Sequence, residues 1–361
     1  MGKKLKIGII GCGGIGEQKH LPAVAKMKEA EVTAFCDISL DKAQTLCKQF
    51  GAQGAKTYTD YRELLKDESI DAVHICTPNL SHSPITVAAL EAGKHVMCEK
   101  PMAINYAEAK KMTDTAKKTG KLLTIGYQNR CSPAAMYLKK VCERGDLGEI
   151  YFAKAHALRR RGVPTWGVFL NEKEQGGGPL IDIGTHALDM TLWLMDNYKP
   201  KTVTGSVYKK LGSKPDCGNI FGPWDPKEFT VEDSAFGFIT MENGATIILE
   251  SSWALNTLDE GEAMCTLCGT KAGADMKNGL RINSDDLGKF TVNTPDLSAG
   301  GVQFYDGLSM LPEDIECKNF YDAILHGAEL RVKPEQALVV TQILEAVYES
   351  ARTGKQIVFS V

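Results

Sequence analysis

A short apolar run, Leu5-Lys6-Ile7-Gly8-Ile9-Ile10, breaks directly into Gly11-Cys12-Gly13-Gly14-Ile15-Gly16. An apolar run that ends in glycines at this spacing predicts a buried strand, a tight turn and a helix. Gly11 allows the turn, Gly13 lets main-chain N–H groups approach a pyrophosphate, and Gly16 lets the helix pack close to its strand. Gly14 and Ile15 complete the turn, and the helix opens with its positive dipole end toward the phosphates. A glycine cluster alone is also what any sharp strand-to-helix bend requires. Asp37 separates the two readings, because it ends the next apolar run, Val32-Thr33-Ala34-Phe35-Cys36, 21 positions beyond Gly16. A carboxylate there accepts hydrogen bonds from a ribose diol and repels a 2′-phosphate. With no Arg right after it, NAD is expected over NADP.

The first third alternates strand and helix. Ile70–Cys76, Lys94–Cys98 and Leu122–Gly126 read as buried strands, and about Ser81–Ala92 and Asn105–Thr119 read as helices between them. Such units predict a doubly wound parallel sheet that binds ligands beyond its strand carboxyl ends. The polar stretches placed there are Thr77-Pro78-Asn79, with His82 behind it, Glu99-Lys100-Pro101 and Tyr127-Gln128-Asn129-Arg130. From about residue 148 longer alternating runs take over, among them Ile150–His156, Ala235–Ile239, Ala245–Glu250 and Ala263–Leu267. They predict a second, α+β domain with an open, largely antiparallel sheet. We therefore divide the chain into an α/β domain over 1–128 and an α+β domain over 129–361. The length of 361 residues also favours two domains.

Composition removes several classes. A net charge of −3 gives no support to a nucleic-acid partner, and Arg159-Arg160-Arg161 is short enough to line a polar pocket. No apolar stretch approaches membrane-spanning length, so a cytoplasmic protein without membrane partners is expected. Eleven cysteines, scattered mostly singly, read as reduced core residues. Cys265 and Cys268 would point to opposite faces of a strand, and no histidine pair has ligand spacing, so no metal is expected. His20, His74, His95 and His156 read as core or cap residues.

Chemistry concentrates at two places. Gly176-Gly177-Gly178-Pro179 marks a helix start ahead of Asp182 and His186, which stand one helical turn apart. A carboxylate beside an imidazole orients the ring and suits it to take a proton from an alcohol, although such a pair can also simply stabilise a helix end. Lys100, just past the strand that ends at Cys98, can stabilise an alkoxide and would also contact the cofactor, and its bond to Pro101 is a candidate cis peptide. Thr77, Pro78, Asn79 and His82 would line the nicotinamide ribose side. Glu99 would bond ribose hydroxyls, Gln128 would touch the cofactor, and Arg130 the cofactor or substrate. Arg159 supplies polar donors for a substrate, and Trp166 an aromatic face to stack on a ring.

Taken together, the glycine turn, Cys76-Thr77-Pro78-Asn79 with His82, Glu99-Lys100-Pro101, and Gly176-Gly177-Gly178 through Asp182 and His186 resemble the glucose–fructose oxidoreductase, inositol dehydrogenase and MocA (Gfo/Idh/MocA) family along essentially the whole chain. The resemblance implies a Rossmann domain, an α+β domain whose open sheet makes a homo-oligomer (dimer or tetramer), and hydride transfer between a carbohydrate or cyclitol carbon and NAD. It maps the family's catalytic set onto Lys100, Asp182 and His186. Residues 159–169 and 250–256 look more like its glycoside 3-dehydrogenase branch, which implies oxidation of the C3 hydroxyl of a glucosyl group with NAD retained and recycled. A myo-inositol 2-dehydrogenase, an NAD-dependent glycosidase and a non-catalytic NAD-binding regulator are the alternatives.

Overall fold

The strands named above form two sheets in the computed structural model of the chain, which describes residues 4–214, 216–297 and 310–359. In the first sheet, β1 (Leu5–Ile10), β2 (Ala30–Cys36), β3 (Lys56–Tyr58), β4 (Ala72–Ile75), β5 (His95–Cys98) and β6 (Leu123–Ile125) lie in the order β3-β2-β1-β4-β5-β6. Every pairing in it is parallel. β1 and β4 are buried almost throughout because helices cover both faces, which is why their sequences are near-continuous apolar runs. The order reverses between β1 and β4, and the glycine turn leaves β1 at this point.

The chain forms two units. One comprises the described residues of Met1–Cys131 and Met310–Leu338, the other those of Ser132–Ser309 and Val339–Val361. The segment Met310–Leu338 therefore belongs with the Rossmann unit, which a single boundary after residue 128 does not capture. Its helix Pro312–His326 supplies Cys317, Phe320 and Tyr321 to the core that β1 and β2 also build.

The second unit holds a nine-stranded sheet. It contains β7 (Ile150–Leu158), β8 (Pro200–Tyr208), β9 (Ser234–Met241), β10 (Thr246–Ser252), β11 (Gly261–Gly269), β12 (Gly273–Asp275), β13 (Arg281–Asp286), β14 (Lys289–Asn293) and β15 (Ile357–Val358). Among the described residues of this sheet only β7 and β10 pair in parallel; the other pairings are antiparallel. Alternation sends Ala153, Ala155, Ile247, Leu249 and Ile239 to a covered face. Phe152, His156, Ile248 and Phe238 go to the other, which is partly exposed. The helix Thr185–Met195 packs on β7 and β11 and is buried at every residue from Thr185 to Leu194.

All eleven cysteines are free thiols. Burial, reinforced by Asp37, pushes the Cys12 and Cys36 thiols up to about 12, so they behave as apolar core groups. Among the described residues no helix is long and apolar enough to cross a membrane.

Candidate functional site

The glycine turn has the geometry its spacing predicts. Gly11 has φ +97°, and a Cβ there would lie 2.5 Å from the Cys76 carbonyl oxygen. A Cβ on Gly16 would lie 2.5 Å from the Gly11 oxygen, so this glycine is what permits the close approach of helix and turn. Above Gly13 and Gly14 there is open space on the protein side. The helix begins with a π turn over Gly16–His20, a geometry frequent at functional sites. Asp37 accepts the Cys12 N–H at 2.8 Å and the Ser39 N–H at 2.9 Å, tying the end of β2 to the turn. Each carboxylate oxygen retains further acceptor capacity. An open cradle of main-chain amides and a fixed carboxylate fit a dinucleotide.

Three residues at the strand ends are held by buried hydrogen bonds within the protein. His82 is buried, its Nδ1 lying 2.7 Å from the Pro101 oxygen and its Nε2 2.9 Å from the Thr77 oxygen. It thereby fastens the loop after β4 to the cis Lys100–Pro101 turn. The two carbonyls favour a protonated ring, but burial outweighs them and lowers its pKa. Glu99 is also buried. One oxygen accepts from Lys19 Nζ at 2.5 Å and faces His20 Nε2 at 2.8 Å, while the other accepts the Lys100 N–H at 3.2 Å. Its carboxylate steadies the main chain at Lys100. Arg130 is fully buried and donates to the Arg331 carbonyl at 2.8 Å and to Gln336 at 2.7 Å, so it anchors the returning segment. Thr77, Pro78, Asn79, Lys100 and Gln128 remain at the strand ends as expected, Gln128 accepting from Lys19 at 3.1 Å.

Behind Glu99 lies a buried polar chain. His20 Nδ1 faces His74 Nδ1 at 2.8 Å, and His74 Nε2 faces the Tyr321 hydroxyl at 3.1 Å. Burial lowers the pKa of both histidines. For Glu99 burial acts upward, yet Lys19 and His20 hold the carboxyl well below its usual range. Each of these groups has a folded pKa below its unfolded value. Their stabilisation is complete above about pH 6.5 for the histidines, and is lost as pH falls, because the unfolded chain then binds more protons. Urea titrations at pH 7.5, 6 and 5 should show falling stability, by up to about 1.4 kcal/mol per pH unit for each histidine. His74→Gln, which cannot titrate, should flatten that slope; an unaltered slope would place its origin elsewhere.

In the second unit, the triple glycine is explained by what crowds it. A Cβ on Gly177 would lie 2.0 Å from the Tyr348 hydroxyl, and one on Gly178 2.3 Å from the Glu232 main-chain oxygen. The Glu232 carboxylate accepts the Gly178 N–H at 2.8 Å, the Leu180 N–H at 3.1 Å and the Tyr348 hydroxyl at 2.8 Å. It thus caps the helix that carries Asp182 and His186, where a negative charge favours the dipole. Burial nevertheless pushes its carboxyl up. Asp182 stands in a π turn, Leu180–Gly184, and His186 in the α-helix that continues it. The indole Nε1 of the fully buried Trp253 donates to Asp182 Oδ2 at 3.1 Å, and the Ser251 hydroxyl holds the Pro179 carbonyl at 2.8 Å.

Glu232, Tyr348 and Trp253 lie far along the chain from the groups they hold, so no local pattern marks these contacts. We expect Trp253→Phe to lower kcat about tenfold, the order of a lost hydrogen bond to a charged acceptor, with KM and NAD affinity little changed. Equal loss of kcat and NAD affinity would mean general disruption instead of misplacement of Asp182.

Arg159 donates through Nη2 to Glu262 at 2.8 Å and through Nη1 to the Gly162 carbonyl at 2.8 Å. Burial works to lower its pKa, but Glu262 and then Asp182 more than offset it, which keeps the guanidinium charged. Trp166 is 53% exposed, with its ring 5.0 Å from Phe221 and 5.9 Å from Phe169. Among the described residues no group of three or more His, Cys, Asp or Glu is placed to hold a metal ion.

Residues 5–127 match the model of the Gfo/Idh/MocA oxidoreductase family's NAD-binding Rossmann fold, and residues 139–359 that of its C-terminal alpha/beta domain. The chain belongs to the Gfo/Idh/MocA family. It is an NAD-dependent oxidoreductase, and its first unit is the NAD-binding domain of the family. It is 36% identical to the D-glucoside 3-dehydrogenase of Escherichia coli (strain K12), across 98% of this chain and 97% of that protein. It is 31% identical to the inositol 2-dehydrogenase of Salmonella typhimurium across 54% of this chain and 56% of that protein. Levoglucosan dehydrogenase, solved in complex with NADH, shares the fold with a TM-score of 0.81 at 23% identity over 99% of both chains.

The choice of NAD over NADP is testable at one residue. Asp37→Ala should weaken NAD binding about 10- to 100-fold, the cost of losing bonds to a charged group. It should also narrow the gap between NAD and NADP affinities. An unchanged ratio would show that the carboxylate does not select the cofactor.

Proposed function

We propose that this protein oxidises a secondary hydroxyl of a glucoside, at C3 of the glucosyl ring, and gives a 3-keto product. The observation that carries this reading is likeness along nearly the whole chain to a D-glucoside 3-dehydrogenase, whereas the inositol dehydrogenase matches over about half. His186 takes the hydroxyl proton. Asp182 orients the imidazole and stabilises it once charged, and Lys100 lends its ammonium to the oxygen that becomes alkoxide-like. When bound, NAD supplies the hydride acceptor. Main-chain amides at the glycine turn and the Asp37 carboxylate hold its pyrophosphate and ribose. Glu232 and Trp253 supply rigidity, fixing the helix start and the Asp182 carboxylate before substrate arrives.

The partly exposed face of the second sheet, with Phe152, Ile248 and Phe238, is the surface we propose for pairing with a second copy; sedimentation as a monomer would contradict this. The proposed activity is tested by incubating the protein with NAD and methyl glucoside, glucose or myo-inositol, following nicotinamide reduction and identifying products by NMR. A 3-keto glucoside is the expected product. An inosose would move the protein to cyclitol oxidation, and free aglycone without net reduction would make it a glycosidase.

A further inference from the structure

The second unit contains an open cleft of about 900 Å³ that takes no part in the proton and hydride transfer proposed for His186, Asp182 and Lys100. Its walls come from Arg159, Asn219, Ile220, Phe221, Glu260 and Glu262 among others. The loop that carries Asn219–Phe221 is pinned to the segment after β7. Asn219 Nδ2 donates to the Val163 carbonyl and its Oδ1 accepts the Val163 N–H, both at 2.9 Å. The Thr165 hydroxyl donates to the Phe221 carbonyl at 2.7 Å. At the base of this loop one Asp233 oxygen accepts the N–H groups of Lys210, Leu211 and Gly212 at 2.6–2.9 Å. A backbone held this firmly nevertheless presents Ile220 at 74% and Phe221 at 41% exposure. Rigid apolar side chains kept open to solvent beside a cleft mark a binding surface.

The cleft is joined to the candidate catalytic group by a row of rings. The Phe221 ring lies 5.0 Å from Trp166, Trp166 lies 5.9 Å from Phe169, and Phe169 lies 6.3 Å from Trp253. Trp253 donates to Asp182. The Arg159 guanidinium, locked to Glu262, stands 5.9 Å over the Phe221 ring and so fixes the polar side of the same wall. We propose that this cleft is the subsite for the aglycone of the glucoside, and that it takes an aromatic aglycone stacked against Phe221 and Trp166 while the glucosyl ring sits at Asp182. The proposal rests on the glucoside reading and extends it by naming the class of group attached at C1. A flat aromatic ring suits the site because edge and face contacts with two aromatic side chains add to its burial.

The test compares phenyl glucoside with methyl glucoside, as both anomers, on the wild-type protein with NAD and on Phe221→Ala and Phe221→Tyr. The wild type should favour the phenyl compound in kcat/KM. Phe221→Ala should lower the phenyl-to-methyl ratio about tenfold, roughly the worth of one aromatic contact, and Phe221→Tyr should restore it. Calorimetry with the NADH-bound protein should show the same change in relative affinity. A wild type without preference, or an Ala variant that loses both substrates equally, would overturn the subsite. So would an Ala variant whose oligomeric state changes while the ratio stays constant, because Phe221 would then serve a contact between copies. Failure to oxidise either glucoside would defeat the underlying glucoside reading, and with it this proposal.

Discussion

His186→Ala should lower turnover about 100- to 10,000-fold while NAD still binds with near-normal affinity, because general acid–base catalysis contributes on this scale. The two halves of that expectation have separate physical origins. The groups we propose to hold NAD, the turn at Gly11–Gly16 and Asp37, all lie in the first unit. His186 lies in the second unit, on a helix buried from Thr185 to Leu194. Lys100→Ala should show the same split, since we propose that its ammonium acts on the reacting oxygen, while the Glu99 carboxylate accepts its main-chain N–H. The check is steady-state kinetics beside NAD titration of each variant. Near-normal turnover in either would remove that residue from the mechanism.

Gly178→Ala should be nearly as damaging although it touches no reacting atom. The added methyl would lie 2.3 Å from the Glu232 main-chain oxygen and 3.1 Å from a Val231 methyl, and a strand-flanking backbone cannot yield as a flexible side chain would. Strain of this kind costs about 1–3 kcal/mol. The displacement falls on the turn that delivers Asp182, where a misplacement of about 1 Å can cost about 100-fold in rate. We therefore expect a lower Tm, a kcat reduced by one to two orders of magnitude, and an unchanged Kd for NAD. Full activity would mean that the turn relaxes without moving Asp182. An equal loss of NAD affinity would mean that the damage is not confined to the second unit.

What could be read from the sequence was local. The run Leu5–Ile10 followed by Gly11–Gly16 announces a strand, a turn and a helix because both hydrophobic period and glycine placement are properties of neighbouring residues. The same holds for the alternation along β7, β9 and β10 and for the helix that follows Gly178-Pro179. Asp37 was readable because the spacing from glycine turn to strand end is set by one strand–helix–strand unit. Glu99, His82 and Arg130 stand beyond strand ends as their spacing predicts, but the protein groups that hold them are not legible locally. Sequence shows that a polar side chain stands at a strand end, and not what already satisfies it.

Lys19, His20 and the Pro101 and Arg331 carbonyls reach these three residues only after folding. Glu232, Tyr348 and Trp253 were invisible for the same reason, being 52 or more positions from the groups they hold. The return of Met310–Leu338 to the Rossmann unit is likewise a property of packing. An amphipathic helix pattern says that one face will be covered without saying by what.

The central claim is that the hydrogen leaves from C3 of a glucosyl ring. It is tested most directly by incubating the protein with NAD and methyl glucoside deuterated only at C3, then examining the reduced nicotinamide by mass spectrometry and NMR. One deuterium at C4 of the nicotinamide is expected, and none when the label is placed at C2. Reduced nicotinamide without deuterium from the C3-labelled compound, or with deuterium from the C2-labelled one, would contradict it.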